Sequence, residues 1–210
     1  MKKKILAAFA LSVLMLSGCA NQTEPSSPAK STEEVAKELI MSRRSIRNYK
    51  DSVISREVLD DILTCGVNAP NAMNRQMYEI RVLSSALIDS ISSAVVRDNP
   101  KFAERPGFKN IFVNAPCVIC VAYDSSSSMS QIDCGLLGEN IMLAAWAKGI
   151  GSCCLGSSPR MIKDSPSAKP YLEKLGFSEG YEFIYCIALG YPNETPDAKP
   201  RKMDMIKFVE

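Results

Sequence analysis

Two basic stretches near opposite ends of the sequence carry side chains suited to binding phosphate. The first is Arg43-Arg44-Ser45-Ile46-Arg47, and the second is Lys199-Pro200-Arg201-Lys202. Guanidinium groups bind phosphate oxygens through paired hydrogen bonds, and a serine hydroxyl adds a neutral donor. Taken singly, each stretch is also what a solvated basic turn or tail contains. Together they indicate a ligand with a phosphate group, provided that the fold brings both ends of the chain to one place.

Amide side chains are concentrated between residues 68 and 76, where the sequence reads Asn-Ala-Pro-Asn-Ala-Met-Asn-Arg-Gln. An amide both donates and accepts hydrogen bonds. Asn71, Asn74 and Gln76, which follow Pro70, therefore suit a ring edge that alternates carbonyl and N–H groups, as flavins and nucleobases do. The alternative is an ordinary polar loop.

A glycine-rich stretch, Gly149-Ile-Gly-Ser-Cys-Cys-Leu-Gly156, permits close backbone approach to a flat ligand. It leads from a predicted helix into a predicted strand. The dinucleotide-binding fingerprint has the reverse order, so this stretch does not match it. Adjacent Cys153 and Cys154 leave two interpretations open: plain packing, or a strained disulfide that relays electrons.

The composition excludes several kinds of chemistry. The chain has no histidine, which removes Ser-His-Asp and Cys-His catalysis and the commonest metal ligand. We predict no metal site, because no second cysteine pair completes a zinc site with Cys117 and Cys120. A net charge of +2 argues against nucleic acid as a partner. The chemistry must therefore use a cofactor, carboxylates, lysine, cysteine or the backbone.

Residues 1–19 resemble a bacterial lipoprotein signal peptide. A basic start precedes an apolar run over residues 5–16, which is shorter than the roughly 20 residues of a membrane-spanning helix. The run ends in Leu16-Ser-Gly-Cys19, which resembles a lipobox. This implies a lipid on Cys19 and an exported, membrane-anchored protein in the cell envelope that faces the periplasm. Residues 20–31 are polar and read as a flexible tether. The alternative is an ordinary N-terminal helix with a buried cysteine.

Residues 32–210 are predicted to form one α+β or α/β layered domain. Helices are predicted over residues 32–43, 55–66, 87–96, 108–114, 132–148, 159–164 and 170–175, and strands over 78–83, 117–122, 150–155 and 181–189. Helix 132–148 is apolar nearly all round, so it should be buried within the fold or in a subunit interface. Cys117 and Cys120 should face opposite sides of a buried strand.

Taken in chain order, these stretches resemble the nitroreductase family of FMN enzymes from residue 32 to about residue 202. The matches are Arg43, Ser45 and Arg47 to Arg-x-Ser-x-Arg/Lys; Pro70, Asn74 and Gln76 to Pro-Ser-x-x-Asn-x-Gln-Pro; Ala115-Pro116; the helix from Asp133 and Gly135 through Glu139-Asn140 to Gly149-Ile-Gly151-Ser152; Gly190-Tyr191-Pro192; and Lys199 with Arg201. The sequence departs from the family at Met77, where a proline is usual, and in the short segment 99–109, which predicts a small or open pocket.

The resemblance implies a three-layer sandwich with a central, mostly antiparallel sheet. It also implies a homodimer that exchanges C-terminal arms and holds FMN at its interface. Arg43, Ser45, Lys199 and Arg201 would bind the phosphate and ribityl chain, and Arg47 and Asn74 the pyrimidine edge. Cys154, Leu155 and Gly156 would lie beside the ring. The full predicted cofactor-binding set is Arg43, Arg44, Ser45, Arg47, Pro70, Asn71, Asn74, Gln76, Cys154, Leu155, Gly156, Lys199 and Arg201.

The resemblance further implies an oxidoreductase that moves electron pairs from NADH or NADPH through FMN to a small acceptor. A nitroaromatic or a quinone would be such an acceptor, and the mechanism would be ping-pong. Two alternatives are a flavin-binding protein that stores or senses flavin without turnover, and a lipoprotein scaffold with a decayed site. Export would separate the domain from cytoplasmic nicotinamide cofactors, which leaves two interpretations: either the donor in the cell is not NADH or NADPH, or the protein is not exported.

Overall fold

The structure is a computed structural model and describes residues 30–210. The predicted signal peptide, the predicted lipid-attachment residue Cys19 and most of the predicted tether lie outside this range. The helices are α1 (Thr32–Ser42), α2 (Arg56–Val67), α3 (Ser85–Asp98), α4 (Ser130–Ala147), α5 (Ser158–Lys163) and α6 (Lys169–Lys174). The strands are β1 (Tyr78–Leu83), β2 (Cys117–Asp124), β3 (Gly151–Leu155) and β4 (Tyr181–Gly190).

Serine side chains fix where the first three helices begin. At α1, Ser31 Oγ accepts from the Glu34 N–H at 3.2 Å, and the Glu34 carboxylate accepts from the Ser31 N–H at 2.7 Å. Ser55 caps α2, as the sequence predicts, and Ser84 caps α3. Each cap satisfies an N–H group that the helix itself leaves without a partner.

The four strands form one antiparallel sheet in the order β1-β2-β4-β3. The two central strands are β2 and β4, and both are almost wholly buried. Their continuous apolar sequences are what a strand covered on both faces requires. The predicted α+β class and antiparallel sheet are therefore confirmed.

Helices cover the sheet on both faces, which gives three layers. On one face α2 and α4 pack over a cluster that includes Ile62, Ile119 and Ile141. On the other face α3, α5 and α6 enclose a cluster that includes Ile91 and Phe112.

The sheet also settles how Cys117 and Cys120 are placed. They belong to opposite clusters, as the alternation of side chains along a strand predicts. Burial raises the pKa of the Cys117 thiol to about 11, which makes it a packing residue rather than a nucleophile.

The helix predicted over residues 108–114 is wrong. Residues 111–114 form a turn, and Val113 and Asn114 have φ values of +52° and +63°. The Asn114 side chain closes this turn, since its Oδ1 accepts from the Lys109 N–H at 2.8 Å and from the Asn110 N–H at 3.2 Å. A local side-chain hydrogen bond has replaced the helical one. Within residues 30–210, no helix is both long and apolar enough to span a bilayer.

Candidate functional site

Backbone hydrogen bonds place the first basic stretch between β3 and the chain that follows β4. The Ile46 N–H donates to the Ser152 carbonyl at 2.9 Å, so residues 45 and 46 lie along the edge of β3. Four residues later, the Lys50 N–H donates to the Tyr191 carbonyl at 2.8 Å. These bonds bring two distant parts of the sequence side by side.

Close approach at this edge depends on Gly151. A methyl group there would lie 2.7 Å from Ile46 Cγ1, inside contact distance. On the tail side, the Glu194 carboxylate accepts from the N–H groups of Arg47 and Asn48. The start of the C-terminal tail is therefore fixed against the basic stretch.

These constraints create a cationic cavity of about 270 Å³. It is lined by Arg43, Arg44, Ser45, Arg47, Pro196, Asp197, Lys199 and Arg201. Five of these residues are Arg or Lys and one is an aspartate, so positive charge is in excess. Arg43 is partly neutralised by Glu139 of α4, at 3.2 Å from Nε. A cavity of this size with several guanidinium groups and a hydroxyl suits a phosphate group.

The cavity unites six predicted site residues, Arg43, Arg44, Ser45, Arg47, Lys199 and Arg201. Sequence reasoning missed Pro196 and Asp197. Their types are common in solvated loops, and only the pairing of residues 48–50 with 191–193 places them here. No pattern in the sequence itself marks them.

The amide stretch is held at a different place, against the first turn of α4. Buried Asp133 accepts the Ala72 N–H on both carboxylate oxygens, at 3.1 and 3.2 Å. The Gln76 N–H donates to Asn71 Oδ1 at 3.0 Å. A carboxylate is favoured at the positive end of a helix, which also explains why Asp133 tolerates burial.

The backbone of this stretch is strained. Met73, Asn74 and Gln76 all have φ values between +51° and +53°. Residues other than glycine rarely adopt this left-handed backbone conformation. Such strain persists where the surrounding structure enforces it, often at binding sites. Residues 70–76 are not among the residues that line the cationic cavity. Within one chain, the predicted site is therefore divided between two places. The cationic cavity holds the basic residues, and the amide stretch lies outside that cavity with Pro70, Asn71, Asn74 and Gln76.

The end of β3 lies near Arg43, although residues 154–156 do not line the cavity. Cys154 is exposed as a residue, but its thiol is partly screened from water at the end of β3. This partial desolvation raises the pKa of the thiol, Glu139 raises it further, and Arg43 opposes the shift.

Cys153 points to the opposite, buried face of β3. Successive residues of a strand face opposite sides, so a disulfide between Cys153 and Cys154 would require the strand to break. The structure favours plain packing over the redox relay.

The chain belongs to the nitroreductase family, whose model matches residues 40–191. It is 35% identical over 167 residues to a protein of Archaeoglobus fulgidus whose provisional name is NADH dehydrogenase/NAD(P)H nitroreductase; the match covers 76% of this chain and 86% of that protein. An NADPH-flavin oxidoreductase of Vibrio harveyi is 25% identical, with 78% and 68% covered.

Solved structures give the same assignment. A nitroreductase with bound FMN from Desulfitobacterium hafniense superposes with a TM-score of 0.72 at 29% identity, covering 83% of this chain and 97% of its own. A nitroreductase with bound FMN from Bacteroides fragilis gives 0.70 at 28% identity, covering 83% and 98%. These likenesses confirm the nitroreductase-like fold.

Proposed function

We propose that this protein is an FMN-dependent oxidoreductase that takes electron pairs from NADH or NADPH and passes them to a small acceptor such as a nitroaromatic or a quinone. The observation that supports this most directly is the cationic cavity, which collects basic residues from both ends of the domain around one phosphate-sized space. The FMN in related solved structures and the nicotinamide donors in the names of relatives support the same conclusion.

Each part of the cavity has a distinct task in this proposal. Arg43, Ser45 and the tail residues Lys199 and Arg201 would hold the phosphate and ribityl chain. Arg47 would lie at the pyrimidine edge, where its charge stabilises the negative charge of the reduced ring. When bound, FMN supplies the ability to accept a hydride and release the electron pair to another molecule. Because the chain has no histidine, its own residues bind and orient rather than transfer protons through imidazole.

Donor and acceptor would use the same open cleft in turn, which is a ping-pong mechanism. The purified protein is expected to show flavin absorbance bands that bleach when NADPH is added without oxygen and return when a nitroaromatic follows. Stopped-flow spectra measure both half-reactions. Bands that persist with both NADPH and NADH would contradict the proposed donors and favour flavin storage. A colourless protein that FMN cannot reconstitute would contradict the whole proposal.

The working unit is proposed to be a homodimer with an exchanged C-terminal arm. Residues 197–210 are all exposed, and the arm carries Ile206, Phe208 and Val209, the last two at 94% exposure. A large exposed apolar surface of this kind is typical of a segment that packs against another protein chain. Helices α1 and α4 also present apolar side chains, including Met41 and Ile132, to solvent. A second copy would cover these surfaces and supply residues 70–76, which the cavity of one chain lacks.

The protein is also proposed to be an exported lipoprotein, on the strength of the lipobox at Cys19. Cells grown with radiolabelled palmitate should label the full-length protein and place it in the membrane fraction. Cys19→Ala should abolish the label and release most of the protein from membranes, whereas Cys65→Ala should change neither. Equal labelling of the Cys19→Ala variant would contradict the assignment.

A further inference from the structure

A second cavity, of about 180 Å³, adjoins the cationic cavity and shares Arg47 with it. Its other lining residues are Arg105, Pro106, Phe108, Val113 and Asn114. All of these come from the segment between α3 and β2. No residue of that segment lines the cationic cavity. Residues 105–114 therefore form a separate wall of the second cavity.

This wall is built to keep its shape. Asn114 ties it together, because its Nδ2 donates to the Gly107 carbonyl at 2.8 Å while its Oδ1 accepts from two backbone N–H groups. Val113 has a φ of +52°, which is costly for a β-branched residue. Strain of this kind is retained where neighbouring contacts over-determine the backbone. The wall is therefore preorganised around the cavity.

Charge in the second cavity is entirely positive. Neither Arg47 nor Arg105 forms an ion pair with any residue in the range 30–210. The remaining lining residues are uncharged. The Arg105 guanidinium lies 5.4 Å from the centre of the Phe108 ring, a cation–π distance that keeps the charge next to an aromatic surface.

We propose that this second cavity binds the carboxylate of a small aromatic acceptor, with Arg105 as the residue that selects the anion. Two arginines can bind a carboxylate through paired hydrogen bonds, and Phe108 offers apolar contact to a ring. This inference rests on the proposed function, since Arg47 is assigned to the flavin edge. It makes carboxylated nitroaromatics or quinones better substrates than their neutral counterparts.

The reaction balances with the donor already named. NADPH and one proton supply the electron pair and the hydrogens that convert a nitro group into a nitroso group and water, leaving NADP⁺. The carboxylate takes no part in this exchange. Arg105 therefore acts on binding and specificity, which unreactive analogues can measure.

The test compares benzoate with its neutral analogue benzamide on the FMN-loaded protein, by titration calorimetry. Benzoate should bind about 10-fold or more tightly than benzamide, as expected when a charged hydrogen bond is lost. Arg105→Gln should remove most of this benzoate preference and leave only the part that Arg47 supplies. Lys101→Gln, which removes a nearby exposed charge outside the cavity, should leave the benzoate preference intact.

A kinetic comparison should agree. The ratio of kcat/KM for 4-nitrobenzoate to that for nitrobenzene should fall about 10-fold or more in Arg105→Gln. Equal binding of benzoate and benzamide to the unaltered protein would overturn the proposal. So would loss of FMN from Arg105→Gln, which would make Arg105 a cofactor ligand, or a changed NADPH-to-NADH preference, which would make it a donor-phosphate ligand. Failure of the proposed function itself would appear earlier, as absent FMN binding or reduction.

Discussion

Replacing Lys199 and Arg201 together by glutamine should weaken FMN binding by about 100-fold or more while leaving the fold intact. Both side chains line the cationic cavity, and both are exposed on the tail. A hydrogen bond to a charged group contributes about 1.5–3 kcal/mol, so two of them account for a factor of this size. Equilibrium titration of the apoprotein with FMN, followed by flavin fluorescence, measures the change.

Riboflavin separates the phosphate contribution from every other effect. It has the same ring and ribityl chain as FMN but no phosphate, so its affinity should fall much less than the affinity for FMN when the variant is compared with the unaltered protein. Lys202→Gln and Lys207→Gln provide matched controls in the same tail, because neither residue lines the cavity. An equal loss of riboflavin and FMN affinity would show that the tail cations do not contact the phosphate.

The parts of the fold that the sequence predicts well are those with strong local signals. The alternation over residues 78–83 predicts β1 with its observed bounds, and the serine at position 55 predicts the start of α2. The apolar run after Pro116 predicts a buried strand. In each case the side chains of one short segment determine both its conformation and the side it buries.

The misses arise where distant or side-chain contacts decide the conformation. Residues 108–114 have a sequence compatible with a helix, but Asn114 captures two backbone N–H groups and turns the chain. Asp197 lines the cavity because the tail pairs with residues 48–50, which no local pattern indicates. The sequence likewise gives no signal for Arg105, because only the fold brings it to the same cavity as Arg47.

The candidate site shows the same division. Residue types alone predict the two basic stretches as phosphate-binding, and the fold joins them in a single cavity. Residue types also predict the amide stretch as a binding segment, yet it lies against α4 and outside that cavity. The assignment of Asn74 and Gln76 to the same ligand therefore stays a prediction. In the proposed dimer, a second copy of the chain would supply these two residues to the cavity.

Removing residues 203–210 should convert the proposed dimer into monomers and sharply lower FMN affinity, although Lys199 and Arg201 remain. The deleted segment carries Met203, Met205, Ile206, Phe208 and Val209, all exposed on the isolated chain. Fully burying one large apolar side chain contributes about 1.5–3 kcal/mol, so losing several from each arm removes much of the association energy. Sedimentation velocity over a range of protein concentrations measures the oligomeric state.

Point substitutions distinguish the apolar contacts from the mere presence of a tail. Ile206→Ser with Phe208→Ser should reproduce most of the dissociation, whereas Lys207→Ser, which lies between them, should not. FMN affinity should fall together with dimer content, because residues 70–76 of a second copy are proposed to complete the site. A truncated protein that stays dimeric would contradict the arm exchange. A truncated monomer that binds FMN with full affinity would show instead that one chain holds a complete site, and that the amide stretch has another role.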